Sequence, residues 1–121
     1  MLDCTFAYGL SFLFPAADTA VGACLRDHGE FARTELDFFV DMAGDEGTFI
    51  DVGANIGAIA LPFASRRPGW KVLAVEANRP ISGILSANAL ANRLYNVEVF
   101  HAALGAEARL IAYPSISLAS V

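Results

Sequence analysis

Thr48-Phe49-Ile50-Asp51-Val52-Gly53-Ala54-Asn55-Ile56-Gly57 is the stretch on which the fold turns. Thr48 to Val52 form a short apolar run bounded by glycines, the pattern of a strand buried on both faces of a parallel sheet. Gly53 and Gly57 then permit positive φ and close backbone approach, so the chain turns with almost no side-chain bulk. Ile56, Ile59, Ala60, Phe63 and Ala64 share one face of a following helix, and Arg66 and Arg67 place positive charge at its C-terminal end. Pro62 inside that helix would remove a backbone bond at a cost of about 3 kcal/mol, which predicts a kink near Ala58 or a later helix start.

Downstream, Lys71 to Val75 read as a second strand ending in Glu76, and Pro80 suits the first turn of a helix whose apolar stripe includes Ile81, Ile84, Leu85 and Leu90. Val97 to Phe100 read as a third strand. Right-handed crossovers would lay the three parallel, in spatial order third, second, first. Upstream, Thr5 to Phe14 suggest one or two short strands ended by Pro15, and Asp18 or Thr19 would cap a short helix through Leu25. Leu36, Phe39, Val40 and Ala43 recur at helical spacing, and that helix ends in the turn Gly44 to Gly47. The expected organisation is therefore a strand and helix region over 1–47, then an α/β, Rossmann-like half-domain over 48–121.

Composition narrows the function. A chain of 121 residues and 12.8 kDa, 55% hydrophobic, has room for one compact domain. With 17% charged residues, a net charge of -5 and a pI near 4.8, it lacks the basic footprint of a nucleic-acid or anionic-membrane partner. The apolar stretch from Cys4 to Ala17 is interrupted by Gly9, Ser11 and Pro15 and falls short of the roughly 20 residues of a membrane span. Cys4 and Cys24 lack metal-ligand spacing and read as buried thiols of a cytoplasmic protein, with no metal expected.

Ligands of open parallel sheets bind at the carboxyl ends of the strands, where this turn falls, and the first helical turn would offer unpaired N–H groups from Asn55 to Ala58. Glu76 lies 19 residues beyond Gly57, near the roughly 20-residue offset of an acid that binds ribose hydroxyls. Together these features point to an adenosine-containing ligand; each alone also fits a geometric turn or a solvated strand end. A dinucleotide turn needs a second glycine where Asn55 stands, and Asp51 would repel a diphosphate while suiting an ammonium group. S-adenosylmethionine carries an ammonium and a sulfonium without phosphate, so the acidic turn favours it over NAD.

Phe49 to Gly57, Val75-Glu76-Ala77-Asn78, then Leu85, Asn88, Asn92, Asn96-Val97 and Ala102-Ala103-Leu104-Gly105 resemble the FkbM-type S-adenosylmethionine-dependent methyltransferases, of the class I methyltransferase fold. The resemblance covers roughly Gly29 to Gly105, and its most specific block is D-V-G-A-N-x-G. It implies that Asp51, Gly53, Asn55 and Gly57, with Ala54 in the same turn, surround the methionine portion, that Glu76 holds the ribose and that Ala77 packs on the adenine. It also implies acidic residues near Gly29-Glu30 and Glu35 closing over the cofactor, and methyl transfer to a hydroxyl of a sugar or polyketide-like small molecule. No residue stands out as a catalytic base: His101 and His28 read as packing or surface residues, and Trp70 and the nine phenylalanines as core.

Nothing from Ala106 to Val121 matches the family's next block, an apolar strand with acidic residues near the acceptor. Arg109 to Tyr113 look like a short strand instead. The expectation is a fragment, truncated after the third core strand, that binds cofactor rather than turning over alone, with its first strand left as an open apolar edge. The competing readings are an NAD-dependent oxidoreductase and a non-catalytic interaction remnant.

Overall fold

Alternating apolar residues and turn-forming pairs build nine elements within residues 1–106, the residues described by the structure, a computed structural model. Strands β1 (Leu2–Ala7) and β2 (Leu10–Pro15) form an antiparallel hairpin. Tyr8 and Gly9 join them with φ of 55° and 74°, the mirror-image turn whose twist matches that of the strands. Helices α1 (Val21–His28) and α2 (Arg33–Met42) follow, then β3 (Gly47–Val52), α3 (Ala60–Arg66), β4 (Trp70–Glu76), α4 (Arg79–Ala91) and β5 (Val97–His101). The last three strands form a parallel sheet in the order β3-β4-β5, as the crossovers predict, with Val52 beside Val75 and Val75 beside Phe100. The proposed strand from Arg109 to Tyr113 lies outside the described residues.

Local chemistry sets the helix starts. Pro62 shifts the start of α3 rather than kinking it: the helix begins at Ala60, so the proline sits in the first turn, where it gives up no helical hydrogen bond. At α4, the Asn78 side chain accepts a bond from Ile81 N–H, with Pro80 in the first turn. Asp18 plays a similar part at α1, taking the N–H groups of Ala20 and Gly22 at 2.8 and 2.9 Å. Arg66 pairs with Asp37 of α2 at 2.8 Å, and the Arg67 guanidinium donates to the Val40 carbonyl, tying α3 to α2.

Phe12, Phe14, Leu25, Leu36, Ile56, Leu61, Val72 and Leu85 are all fully enclosed in one cluster, so residues on both sides of Gly47 share a core. Phe49 stacks on Phe63 with ring centroids 4.2 Å apart, and Trp70 meets Phe63 edge-on. α4 grips the hairpin through two side-chain amides one turn apart. Asn88, only 1% exposed, accepts from Leu13 N–H at 2.8 Å and donates to the carbonyls of Leu13 and Ile56 at 3.0 and 2.9 Å. Asn92 accepts from Ser11 N–H and donates to Ser11 O, at 2.9 and 2.8 Å. The pair does for the edge of β2 what a neighbouring strand would do.

Four expectations need correction. Of the nine phenylalanines read as core, Phe6, Phe38, Phe39 and Phe100 are exposed. Leu90 is 67% exposed; it lies about 200° round the helix from Asn88, and the inward stripe runs through Asn88 and Ala89 instead. β3 is covered on one face only: Phe49 packs on Phe63, whereas Ile50 and Val52, which alternate with it, are 58% and 56% exposed because no described element covers that face. Cys4 is exposed on the hairpin and Cys24 half-buried, its thiol donating to the Glu30 carbonyl at 3.0 Å; both thiols are free. Among the described residues no helix is long and apolar enough to cross a membrane, and no cluster of His, Cys, Asp and Glu could hold a metal ion.

Candidate functional site

The turn after β3 closes on the end of β4. Gly53 and Ala54 donate their N–H groups to the Val75 carbonyl at 2.8 and 3.0 Å. Asn55, at φ 55°, donates its N–H to Glu76 Oε1 at 2.9 Å, while its own Oδ1 accepts from Ile56 N–H at 2.8 Å. Gly57 N–H goes to the Ala54 carbonyl at 3.0 Å. The amides from Asn55 to Gly57 are thus satisfied within the protein, contrary to the unpaired donors expected there. The late start of α3 leaves these residues in a turn that folds onto itself and onto Glu76.

Glu76 is consequently a brace as well as a candidate ligand. Its Oε1 takes Asn55 N–H and its Oε2 takes Asn78 N–H at 2.8 Å, which fixes the turn relative to the start of α4. Each carboxylate oxygen retains acceptor capacity beyond one bond. Asp51, one strand over, is half-buried and its carboxyl is pushed up to about 6: burial is the main cause, a bond from Ala60 N–H opposes it, and the negative charge of Glu76 adds to it. Asp51 lies beside Ala74 near the end of β3, and Glu76 is the last residue of β4, so both belong to the carboxyl ends of adjacent parallel strands.

A cavity of about 130 Å³ opens beside Asp51, lined by Asp51, Gly53, Ala54, Asn55, Ala58 and Ile59 together with Val21 and Phe31. A side chain at Gly53 would meet no atom within 4 Å, so the backbone there is open to a ligand. Gly57 serves packing instead: at φ 99° it leaves room for Leu61, whose Cγ would lie 2.6 Å from an added Cβ. Glu76 and Ala77 stand next to this cavity rather than on its wall. Ala77 is half-buried, with its carbonyl 3.1 Å from His101 Nε2. Glu30 pairs with Arg33 at 3.1 Å and Glu35 is exposed in the first turn of α2, so neither lines the cavity. Val21 and Phe31 escaped the sequence reading because only the fold brings the helical region before β3 against the turn.

No protein-family model matches the chain, and no curated protein matches it. Solved structures do. TYW2 from P. horikoshii in complex with MeSAdo aligns with a TM-score of 0.66 at 18% identity, over 84% of this chain and 36% of that one. TYW2 from M. jannaschii in complex with AdoMet aligns at 0.64 and 21% identity, over 81% and 42%. Coclaurine N-methyltransferase bound to N-methylheliamine and SAH aligns at 0.55 and 24% identity, over 74% and 25%. The fold is therefore the Rossmann-like α/β fold of class I methyltransferases, and the chain spans less than half the length of these proteins.

Proposed function

We propose that this chain is the cofactor-binding portion of a cytoplasmic S-adenosylmethionine-dependent methyltransferase of the FkbM type, acting on a hydroxyl of a sugar or polyketide-like small molecule. The observation that carries the reading is the pairing of Asp51 and Glu76 at the carboxyl edge of adjacent parallel strands, beside a cavity walled by Gly53, Ala54 and Asn55. Whole-ligand pockets run to roughly 300 Å³ and more, so about 130 Å³ suits one end of a ligand, and the acid there fits an amino-acid ammonium. Glu76, with its spare acceptor capacity, suits the ribose hydroxyls, and Ala77 offers a small apolar surface to the adenine. S-adenosylmethionine when bound supplies an activated methyl group; the chain's own residues bind and orient it.

Asp51 on the cavity wall, Glu76 beside it and no basic residue in the lining disfavour a diphosphate, which separates this reading from NAD chemistry. The bound adenosine ligands of the structural neighbours support it, while their acceptors do not carry over. Calorimetric titration of the full chain tests it. S-adenosylhomocysteine should bind and NAD should not; preferential binding of NAD would overturn the assignment. Replacing Glu76 with Ala should weaken S-adenosylhomocysteine by about 1.5 to 3 kcal/mol, since it removes both the ribose acceptor and the brace on Asn55.

A further inference from the structure

The cavity beside Asp51 has an apolar wall that the glycine turn does not supply, made by Val21 at the start of α1 and Phe31 between α1 and α2. Phe31 is held by both of its backbone polar groups. Its N–H donates to Tyr8 Oη at 2.8 Å, and its carbonyl accepts from the same hydroxyl at 3.1 Å. Tyr8 sits at φ 55° in the turn of the β1–β2 hairpin, a conformation uncommon for an aromatic residue. Packing and a raised hydroxyl pKa, caused chiefly by burial, keep that group protonated and able to donate. The hairpin thus holds the backbone of Phe31, a partly buried aromatic residue packed against the core that shares the cavity lining with Asp51.

We infer that Phe31 is a specificity-determining residue of this site, recognising the sulfonium charge of S-adenosylmethionine, and that Tyr8 is its positioning residue; this rests on the function proposed above. In such a ligand three carbon atoms separate the ammonium from the sulfur, so a cavity of about 130 Å³ with the ammonium at Asp51 places the sulfur within the same enclosure. Asp51 is then matched by the ammonium, and both oxygens of Glu76 already hold backbone amides. An aromatic wall attracts a cation through its quadrupole and gives no such gain to a neutral thioether. Phe31 therefore distinguishes the methyl donor from its demethylated product, which favours exchange of product for fresh donor.

The test is the ratio of affinities of the full chain for S-adenosylmethionine and S-adenosylhomocysteine at neutral pH. The unaltered chain should prefer S-adenosylmethionine. Phe31→Leu should weaken S-adenosylmethionine by roughly 5-fold and leave S-adenosylhomocysteine within about 2-fold, whereas Phe31→Tyr should keep the preference. Tyr8→Phe, which removes only the hydroxyl, should move the ratio the same way by a smaller factor. An unchanged ratio in Phe31→Leu, or equal loss of both ligands, would show that Phe31 only packs and would overturn the inference. If Phe31→Leu binds neither ligand, the ratio in Tyr8→Phe decides. Failure of the unaltered chain to bind either ligand would remove the site reading itself, an outcome distinct from binding without discrimination.

Discussion

Charging Asp51 costs the fold free energy, because burial and the neighbouring Glu76 both oppose its ionised form. Its carboxyl titrates near 6 in the folded chain against 3.8 ordinarily, so the favourable contribution is fully present below about pH 3.8 and is lost as pH rises through 6. Asp51→Asn keeps an acceptor for Ala60 N–H and removes the charge. Thermal melts should show this variant more stable than the unaltered chain at pH 7, by up to about 3 kcal/mol, with the difference vanishing near pH 4. Equal pH profiles for the two proteins would mean that Asp51 ionises freely. The same substitution should weaken S-adenosylmethionine binding, a cost in stability retained for recognition. The two glycines of the turn separate in a parallel way. Gly57→Ala combines a positive φ with a clash on Leu61 and should lose roughly 2 to 4 kcal/mol in urea unfolding. Gly53→Ala meets open space, so it should lose only about 1 to 2 kcal/mol from backbone strain while reducing ligand affinity.

Between elements, the amide ladder from α4 to β2 fixes the hairpin over the core. Asn88→Ala would strand Leu13 N–H, Leu13 O and Ile56 O, and should lower the unfolding free energy by roughly 2 to 5 kcal/mol. Asn92 is less enclosed and serves mainly Ser11, so Asn92→Ala should cost about half as much in the same urea titration. A smaller effect at Asn88 than at Asn92 would contradict the ladder. This is also where sequence legibility divides. The start of α4 and the displaced start of α3 follow from Asn78-Pro80 and Pro62, whose effects are local and steric. The burial of Asn88 is not legible because it depends on a strand 75 residues away, and residue type places Leu90 in the apolar stripe although it faces outward. The acidic pair of the site was visible as spacing along the chain. The occupation of Glu76 by the amides of Asn55 and Asn78 was not, since that requires the end of β4 to lie against the turn.

At the scale of the molecule, one face of the parallel sheet is uncovered among the described residues. Ile50 and Val52 on β3 and Phe100 on β5, 58%, 56% and 41% exposed, lie across it, and among the described residues one edge of β3 is unpaired. An apolar face joined to a free strand edge promotes association between chains. Sedimentation velocity on the 121-residue chain should therefore show a mean mass that rises with concentration. Ile50→Lys should suppress that rise with little loss of stability, because the side chain already faces outward. The charge arithmetic makes the result decisive. The substitution moves the net charge from -5 toward zero, a change that by itself favours association, so any gain in monomer must come from the lost apolar contact. An unaltered chain that stays monomeric across the concentration range would show that the exposed face is not adhesive.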